Sequence, residues 1–433
     1  MKNTTLIILA LAVLLLPACA PSAPTPLPPP TPIPTPVDLG KISPLLRGSN
    51  YGPWVAVPVN MLDAAYNAKI AVIRFPGGAW GDRNTLRDYQ IDAFMDFCKK
   101  AGATATISVN LRDGTPEQAA ELVRYVNITK KYGIIYWAIG NEPTLYAQEV
   151  GVGPYGVADY NRDFRAFAKA MKAVDPSIKL MGPELHQYAV DPNARPKDAS
   201  GLDWMDEFLR ANGDLVDVVT FHRYPFGTSI TPDDLRRNAR EWDDLVIALR
   251  GRIHELTGRD IPIALTEVNT HYNPAVGGIA TPDSHFNAVW LADVFGQMVA
   301  QDVLMFNHWL LSTSGSNQGG WGMISRSGVR PSYYVYQLYA LFGTQRVYAA
   351  SGIENVSIYA AKRPDGALTL MIINLNDDLA RAPLQVAGKT PASAQLFLLD
   401  PSHNAQDMGV VPLPADGVLD LPGQSVSLYV VTP

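Results

Sequence analysis

Downstream of residue 47 the chain alternates between two kinds of hydrophobic pattern. Apolar runs of strand length fall at 48–54, 70–78, 103–110, 134–143, 178–185, 216–225, 261–269 and 303–311. Between them lie stretches in which apolar residues recur every three or four positions, such as TLRDYQIDAFMDFCKKAG, PEQAAELVRYVNITKKYG, YNRDFRAFAKAMKAV and DDLRRNAREWDDLVIALRGRIHELTG. Continuous apolar strands separated by amphipathic helices predict parallel strands covered on their outer face. Eight such units in about 300 residues predict an α/β fold of the (β/α)8 TIM barrel type. From residue 345 the pattern changes to short alternating segments, VSIYAAKR, ALTLMIINLND, AQLFLLDPS and QSVSLYVV, separated by Gly, Pro, Asp and Asn. Strands without intervening helices predict a C-terminal antiparallel β-sandwich, packed on the side of the barrel.

The N-terminus follows different rules. Lys2 precedes the apolar run Leu6–Leu16, which is too short to span a bilayer and ends in small residues, the pattern of a secretory signal peptide. Leu16-Pro17-Ala18-Cys19 resembles a bacterial lipobox, in which Cys19 is lipidated and becomes the first mature residue. An ordinary signal peptide cut near Ala18 or Ala20 is the alternative. The following PSAPTPLPPPTPIPTP cannot form a helix and reads as an extended spacer. The expected organisation is therefore a signal peptide (1–18), a lipidated Cys and Pro-rich linker (19–46), a catalytic barrel (47–344) and a sandwich (345–433). Such a protein is extracytoplasmic and touches a membrane only through its anchor. Cys98, in IDAFMDFCKK, is then the other cysteine and is expected as a buried core thiol.

Charge narrows the choice of partner. A net charge of −6 over 433 residues, with 18% charged residues and no basic block, gives nothing with which to neutralise nucleic-acid phosphates. A neutral small molecule or polymer fits better.

In a parallel barrel the chemistry collects where strands end. The last residues of the eight runs include Asn50, Arg74, Asn110, Asn141 and Glu142, Glu184, His222 and Tyr224, Glu267 and Asn269, then His308 and Trp309. Polar side chains thus gather at one end of the barrel. Glu142 follows the fourth strand and Glu267 the seventh, so the two carboxylates face each other across the mouth. Such a pair can divide acid and nucleophile roles, as hydrolysis of a glycosidic bond requires.

On these residues the chain resembles the retaining glycoside hydrolases of clan A. Asn141-Glu142 in AIGNEP and Glu267 in ALTEVN match that clan's acid/base and nucleophile motifs, and Arg74 in RFPGG, the His-x-Tyr of FHRYP and the Trp of NHWLL fit as well. With the sandwich and PSYYVYQLYALFG, the resemblance runs over residues 48 to 433 and is nearest to families 39, 44, 51 and 79. It implies that Glu142 is the general acid and later the base, and that Glu267 attacks the anomeric carbon. Glu142 must then keep a proton near neutral pH, which calls for burial or the charge of Glu267 to raise its pKa. Asn141 would bond the sugar's 2-hydroxyl, while Arg74 and Tyr224 would hold the nucleophile. Trp309 would floor the central sugar subsite; Asn110 and His222 are further substrate-binding candidates. For several of these a structural role is the competing reading: a salt bridge for Arg74, a core ring for Trp309, a satisfied histidine for His222. Gly77-Gly78 either lets backbone approach the sugar or forms a turn. Trp80, Trp321 and Tyr272, in the loops, are candidates for additional subsites.

No HExxH, CxxC or calcium-loop pattern is present, and no Gly-rich phosphate motif, so neither a metal nor a cofactor is expected. His271 and His285 flank a Gly/Pro-rich loop and are expected at the surface or in the cleft. The expected substrate is a polysaccharide or oligosaccharide of plant hemicellulose type. A non-catalytic carbohydrate-binding lipoprotein and a metal-dependent barrel hydrolase are the alternatives.

Overall fold

Each of the eight apolar runs contains a strand: β1 (Arg47–Asn50), β2 (Val72–Phe75), β3 (Thr104–Val109), β4 (Tyr136–Ile139), β5 (Lys179–Leu185), β6 (Val218–Arg223), β7 (Ile263–Val268) and β8 (Met305–His308). In this computed structural model, which describes residues 39–149, 153–227, 229–313, 319–387 and 391–432, the eight strands close into one parallel barrel in sequence order. β1 seals it by pairing with β8, Ser49 opposite His308. The signal peptide, Cys19 and the Pro-rich spacer lie outside the described residues. Among the described residues no helix is long and apolar enough to cross a membrane.

The barrel interior is layered by polarity. Val72, Ala138, Met181, Val218, Ala264 and Met305 form a separate apolar plug at its lower end. Buried polar side chains, among them Asn50, Arg74, Thr220, His222 and Thr266, occupy the upper end. Register irregularities interrupt the ladders between Gly182 and Leu185, Phe221 and His222, and Leu265 and Val268. Such breaks re-aim side chains that strict alternation would send outward. They fall where Glu184, His222 and Glu267 are carried.

The helices follow the periodic stretches, with two differences. The stretch after β3 is α-helical over Pro116–Val123 and continues as a π-helix through Arg124–Thr129. The long pattern from 233 to 258 is two helices, Pro232–Ala239 and Trp242–Thr257. The interruption turns Trp242 into the core, where its indole N–H donates to Asn238 Oδ1 at 3.1 Å. Cys98 is buried in the helix Asp88–Ala101, and burial pushes its thiol pKa up.

The C-terminal region forms a six-stranded antiparallel sheet in the order 345–347, 356–362, 368–374, 425–431, 393–400, 403–412, faced by a two-stranded sheet of 380–383 and 418–421. Alternation along its central strands sends Leu370, Ile372 and Tyr429 toward Leu419 and Leu421 of the small sheet. Met371, Ile373, Val426 and Leu428 join the barrel's own core instead. The central strands of the large sheet, 368–374 and 425–431, are therefore buried on both faces. The sheet covers the helix His285–Ala300, in which every residue from Phe286 to Val299 is buried. Gly296 makes the contact possible, because a Cβ there would lie 2.1 Å from the Tyr359 ring.

Residues 40–46, placed in the linker on sequence, belong to the folded body. Ile42 N–H donates to Thr344 O (2.8 Å), Arg346 N–H to Gly40 O (2.9 Å) and Ser43 Oγ to Leu304 O (2.6 Å), and Leu46 is buried. The segment adds to the edge of the large sheet where Lys41 bridges Gln345, so backbone pairing outweighs its linker-like composition.

Candidate active site

Arg74, at the end of β2, is fully buried and organises the barrel mouth. Its Nη1 reaches Glu267 Oε1 at 2.8 Å and Asn50 Oδ1 at 3.2 Å, and its Nη2 reaches Asn141 Oδ1 and Glu184 Oε2, both at 2.9 Å. Glu267, on β7, is fixed from three sides. Besides Arg74, the backbone N–H of Gly78 donates to Oε1 (3.0 Å) and the Tyr224 hydroxyl to Oε2 (2.6 Å). Gly78 has no tolerable substitute: its φ is +67°, and a Cβ would stand 2.5 Å from the Trp309 ring. The Gly-Gly step is thus a close backbone approach to the carboxylate and the indole together.

Glu142 lies beyond the end of β4 in a left-handed conformation (φ 48°, ψ 52°), which costs a non-glycine residue about 1–3 kcal/mol and is characteristic of functional positions. Its neighbours impose that geometry. Glu142 N–H donates to Glu184 O at 2.9 Å, and Asn141 N–H to Asp82 Oδ2 at 2.7 Å. The Asp82 carboxylate also accepts from the Tyr146 hydroxyl (2.5 Å) and Leu111 N–H (3.0 Å), so one buried acid ties together the loops after β2, β3 and β4. Burial raises its pKa to about 6 despite those donors.

The Glu142 side chain is 22% exposed and that of Glu267 5%. One oxygen of each, together with His222 Nδ1, lies within 4.8 Å of the others. His222 bridges two carboxylates, Nδ1 to Glu142 Oε1 at 2.8 Å and Nε2 to Glu184 Oε2 at 3.1 Å. Burial pushes the imidazole down, but the charges of Glu267 and Glu142 and the bonds to Glu142 and Glu184 outweigh it and hold its pKa up at about 9. Both ring nitrogens therefore carry protons at neutral pH and both donate. Burial likewise opposes ionisation of Glu184, yet Arg74 and His222 bring its pKa down to about 2.

These charges correct one expectation. Burial does push the Glu142 carboxyl up, but the hydrogen bond and charge of His222 outweigh it and leave its pKa below the ordinary value. The direction of both shifts puts the proton shared by this pair on the His222 side of the bond to Glu142. Three carboxylates share the site: Glu267 acts on His222 chiefly by its charge, Glu142 and Glu184 by hydrogen bonds, and Arg74 and the imidazolium together offset two of the three negative charges.

The structure gathers Glu142, Glu267, Asn141, Arg74, His222 and Tyr224 into this bonded cluster, with Trp309 at its rim. Asn110 stands apart. Its amide donates to Asn84 O (3.3 Å) and accepts from Asp113 N–H (2.9 Å), which commits it to holding loops. His271 is buried rather than at the surface, its Nδ1 bonded to Thr270 Oγ1 and its carbonyl accepting from Trp321 Nε1. His285 is half-buried and donates to Gln424 O across the domain junction. Sequence reasoning reached Glu184 and Asn50 as strand ends without assigning them a role. Asp82, His186 and Trp54 escaped it. Asp82 is a lone acid in a loop helix; His186, bonded to Thr144 Oγ1 at 2.7 Å beside Glu142, lies one residue past β5. Trp54 was visible only as the end of an apolar run, yet its ring stacks on Trp309 at 6.0 Å.

Glu142, His222 and Glu267 could geometrically converge on a cation. The charges fit poorly: a cation would displace the imidazolium proton and sit beside the Arg74 guanidinium.

No protein-family model matches the chain. A probable α-L-arabinofuranosidase C of Aspergillus fumigatus is 29% identical over 166 residues, 28% of this chain and 31% of that protein. An intracellular exo-α-(1→5)-L-arabinofuranosidase of Halalkalibacterium halodurans is 29% identical over 161 residues, 34% and 30% of the two chains. The matches thus span about a third of these relatives. Solved structures align over far more of the chain. An α-L-arabinofuranosidase from Thermotoga maritima, in complex with arabinose, superposes with a TM-score of 0.72 at 19% identity over 91% of this chain and 98% of that one. A Paenibacillus polymyxa xyloglucanase of glycoside hydrolase family 44 gives 0.69 at 17% identity over 91% and 97%. The closed barrel with its C-terminal antiparallel sheet is the fold of these glycoside hydrolases.

Proposed function

We propose that the protein is a retaining glycoside hydrolase acting on hemicellulose-type polysaccharides or their oligosaccharides, without a cofactor. The observation that carries this reading is the approach of a Glu142 oxygen to a Glu267 oxygen, within 4.8 Å across the mouth. Retaining enzymes hold their carboxyl groups about 5–5.5 Å apart, whereas inverting ones leave about 6.5–9.5 Å for a water. In the first step Glu267 attacks the anomeric carbon, Glu142 delivers a proton to the leaving oxygen, and the C–O bond breaks to leave a glycosyl ester on Glu267. His222, bonded to Glu142, supplies the proton that Glu142 gives up. In the second step Glu142 takes a proton from water, which attacks the same carbon and releases Glu267, and that proton returns to His222 to restore the resting pair. Arg74 and Tyr224 stabilise the charge that returns to Glu267 as the ester breaks.

The named relatives bring arabinose-containing substrates into the test. Aryl glycosides, arabinan, xylan and xyloglucan are to be assayed, with the anomeric proton of the first product followed by NMR. The expected result is hydrolysis with retained configuration, unaffected by a chelator. An inverted first product would overturn the mechanism, and chelator-sensitive turnover would favour a metal held by Glu142, His222 and Glu267.

We also propose that Cys19 anchors the protein to a membrane through a lipid, the Pro-rich segment serving as spacer. It rests on LPAC followed by that spacer. Cys19→Ser is expected to move the protein out of the membrane fraction when both forms are expressed in a bacterium. Equal partitioning of both forms would overturn the anchor.

A further inference from the structure

The proposed mechanism gives the cleft a direction. Glu142 must reach the glycosidic oxygen, so the leaving sugar lies on its side of the mouth, beside His186 and the loop after β5. The sugar that becomes attached to Glu267 therefore extends the other way, toward the loops after β8, β1 and β2. Three indoles line that rim. Trp309 rests against Gly78, whose N–H holds Glu267. The Trp54 ring is stacked on Trp309 at 6.0 Å with 20° between planes, and Trp80 on Trp54 at 6.3 Å and 29°. All three are half-exposed. Trp54 is folded onto Gly52, where a Cβ would lie 1.6 Å from its ring, so the turn Tyr51-Gly52-Pro53 is shaped to place this side chain.

The charges nearby are already paired. Arg83 and Arg112 are both tied to Glu149, at 2.8 and 3.1 Å, and Asp82 is buried in its own donors. With these charges paired, the described part of the rim offers aromatic surface suited to the C–H faces of uncharged sugar rings. A single terminal sugar would occupy the Trp309 position and leave Trp54 and Trp80 unused.

Resting on the retaining reading above, we propose that Trp54 and Trp80 form glycone-side subsites for a neutral sugar chain. The enzyme then holds two or more residues on the Trp309 side and cuts within the chain, instead of trimming single terminal sugars. Trp54→Ala and Trp80→Ala are to be compared with the parent on an aryl monoglycoside and on the matching polysaccharide. Because Trp54 also supports Trp309, the readout is the ratio of the two kcat/KM values. The ratio of chain to monoglycoside is expected to fall about 10–100-fold in each variant, and the parent is expected to release oligosaccharides from the start of the reaction. Monosaccharide as the sole early product, or an unchanged ratio in Trp80→Ala, would overturn the proposal even if Trp54→Ala failed to fold. A binding arm separates this outcome from failure of the catalytic reading. In the Glu267→Ala protein, xylohexaose and cellohexaose are titrated against tryptophan fluorescence, and at least one is expected to bind with a response that Trp80→Ala diminishes. A parent that hydrolyses nothing, with hexaose binding still dependent on Trp80, would refute the hydrolase and keep the subsites. The absence of hexaose binding would refute the subsites whatever the catalytic result.

Discussion

Glu267→Ala is expected to lower hydrolysis of every substrate by on the order of 10⁴-fold or more, whatever the leaving group. The carboxylate is held by Arg74, Tyr224 and the Gly78 N–H, and no other group stands in position to replace it. Removing it leaves those donors without their acceptor and the anomeric carbon without a nucleophile. Added azide or formate then enters from the vacated side, and the product has inverted configuration. The measurement is single-substrate kinetics with NMR of the product anomer. Retained activity in Glu267→Ala would remove Glu267 from the nucleophile's role.

Glu142→Ala should fail selectively. A natural glycoside has a poor leaving group, so losing the proton donor is expected to cost about 10²–10⁴-fold. A dinitrophenyl glycoside needs no proton, so its glycosyl–enzyme ester still forms and accumulates as an early burst. Azide should then restore turnover and yield a glycosyl azide of retained configuration. The pH profile adds an independent check. In the parent, the transferable proton belongs to the Glu142–His222 pair and leaves with the imidazole at about 9, so activity on natural glycosides should fall as pH rises through that value. Glu142→Ala should lose that limb. Equal loss on all leaving groups without azide rescue would remove Glu142 from the acid/base role.

Much of this site was legible because a parallel barrel converts sequence position into spatial position. Once eight strands are counted, Arg74, Asn141, Glu142, Tyr224 and Glu267 must converge. Two things were not legible. A carboxylate's proton affinity depends on its neighbours, and Glu142 could not be read as depressed without knowing that His222 is bonded to it and held protonated by Glu267, Glu142 and Glu184 together. The strand-end rule also said nothing of loop direction: Asn110 sits at the end of β3 but is turned away into loop bonds, while Trp54, four residues beyond β1, folds back onto the rim. Residues 40–46 were misplaced for a related reason, since their partner is a sheet edge some 300 residues away in sequence, and backbone pairing leaves no mark on composition.

The helix His285–Ala300 carries a consequence for how this protein could be divided or recombined. Its sequence has lost the polar stripe that an outer barrel helix normally shows to water, because the large sheet lies where solvent would be. On the sheet side, Met371, Ile373, Val426 and Leu428 are equally committed to the barrel. Tyr359 adds a hydroxyl bond to Asp293, an acid whose pKa burial raises to about 6. Neither half therefore has a finished surface of its own. The two are one cooperative object with two topologies, and in evolutionary or engineered shuffling they exchange as a pair: a barrel grafted without its sheet would present about four turns of apolar helix to water.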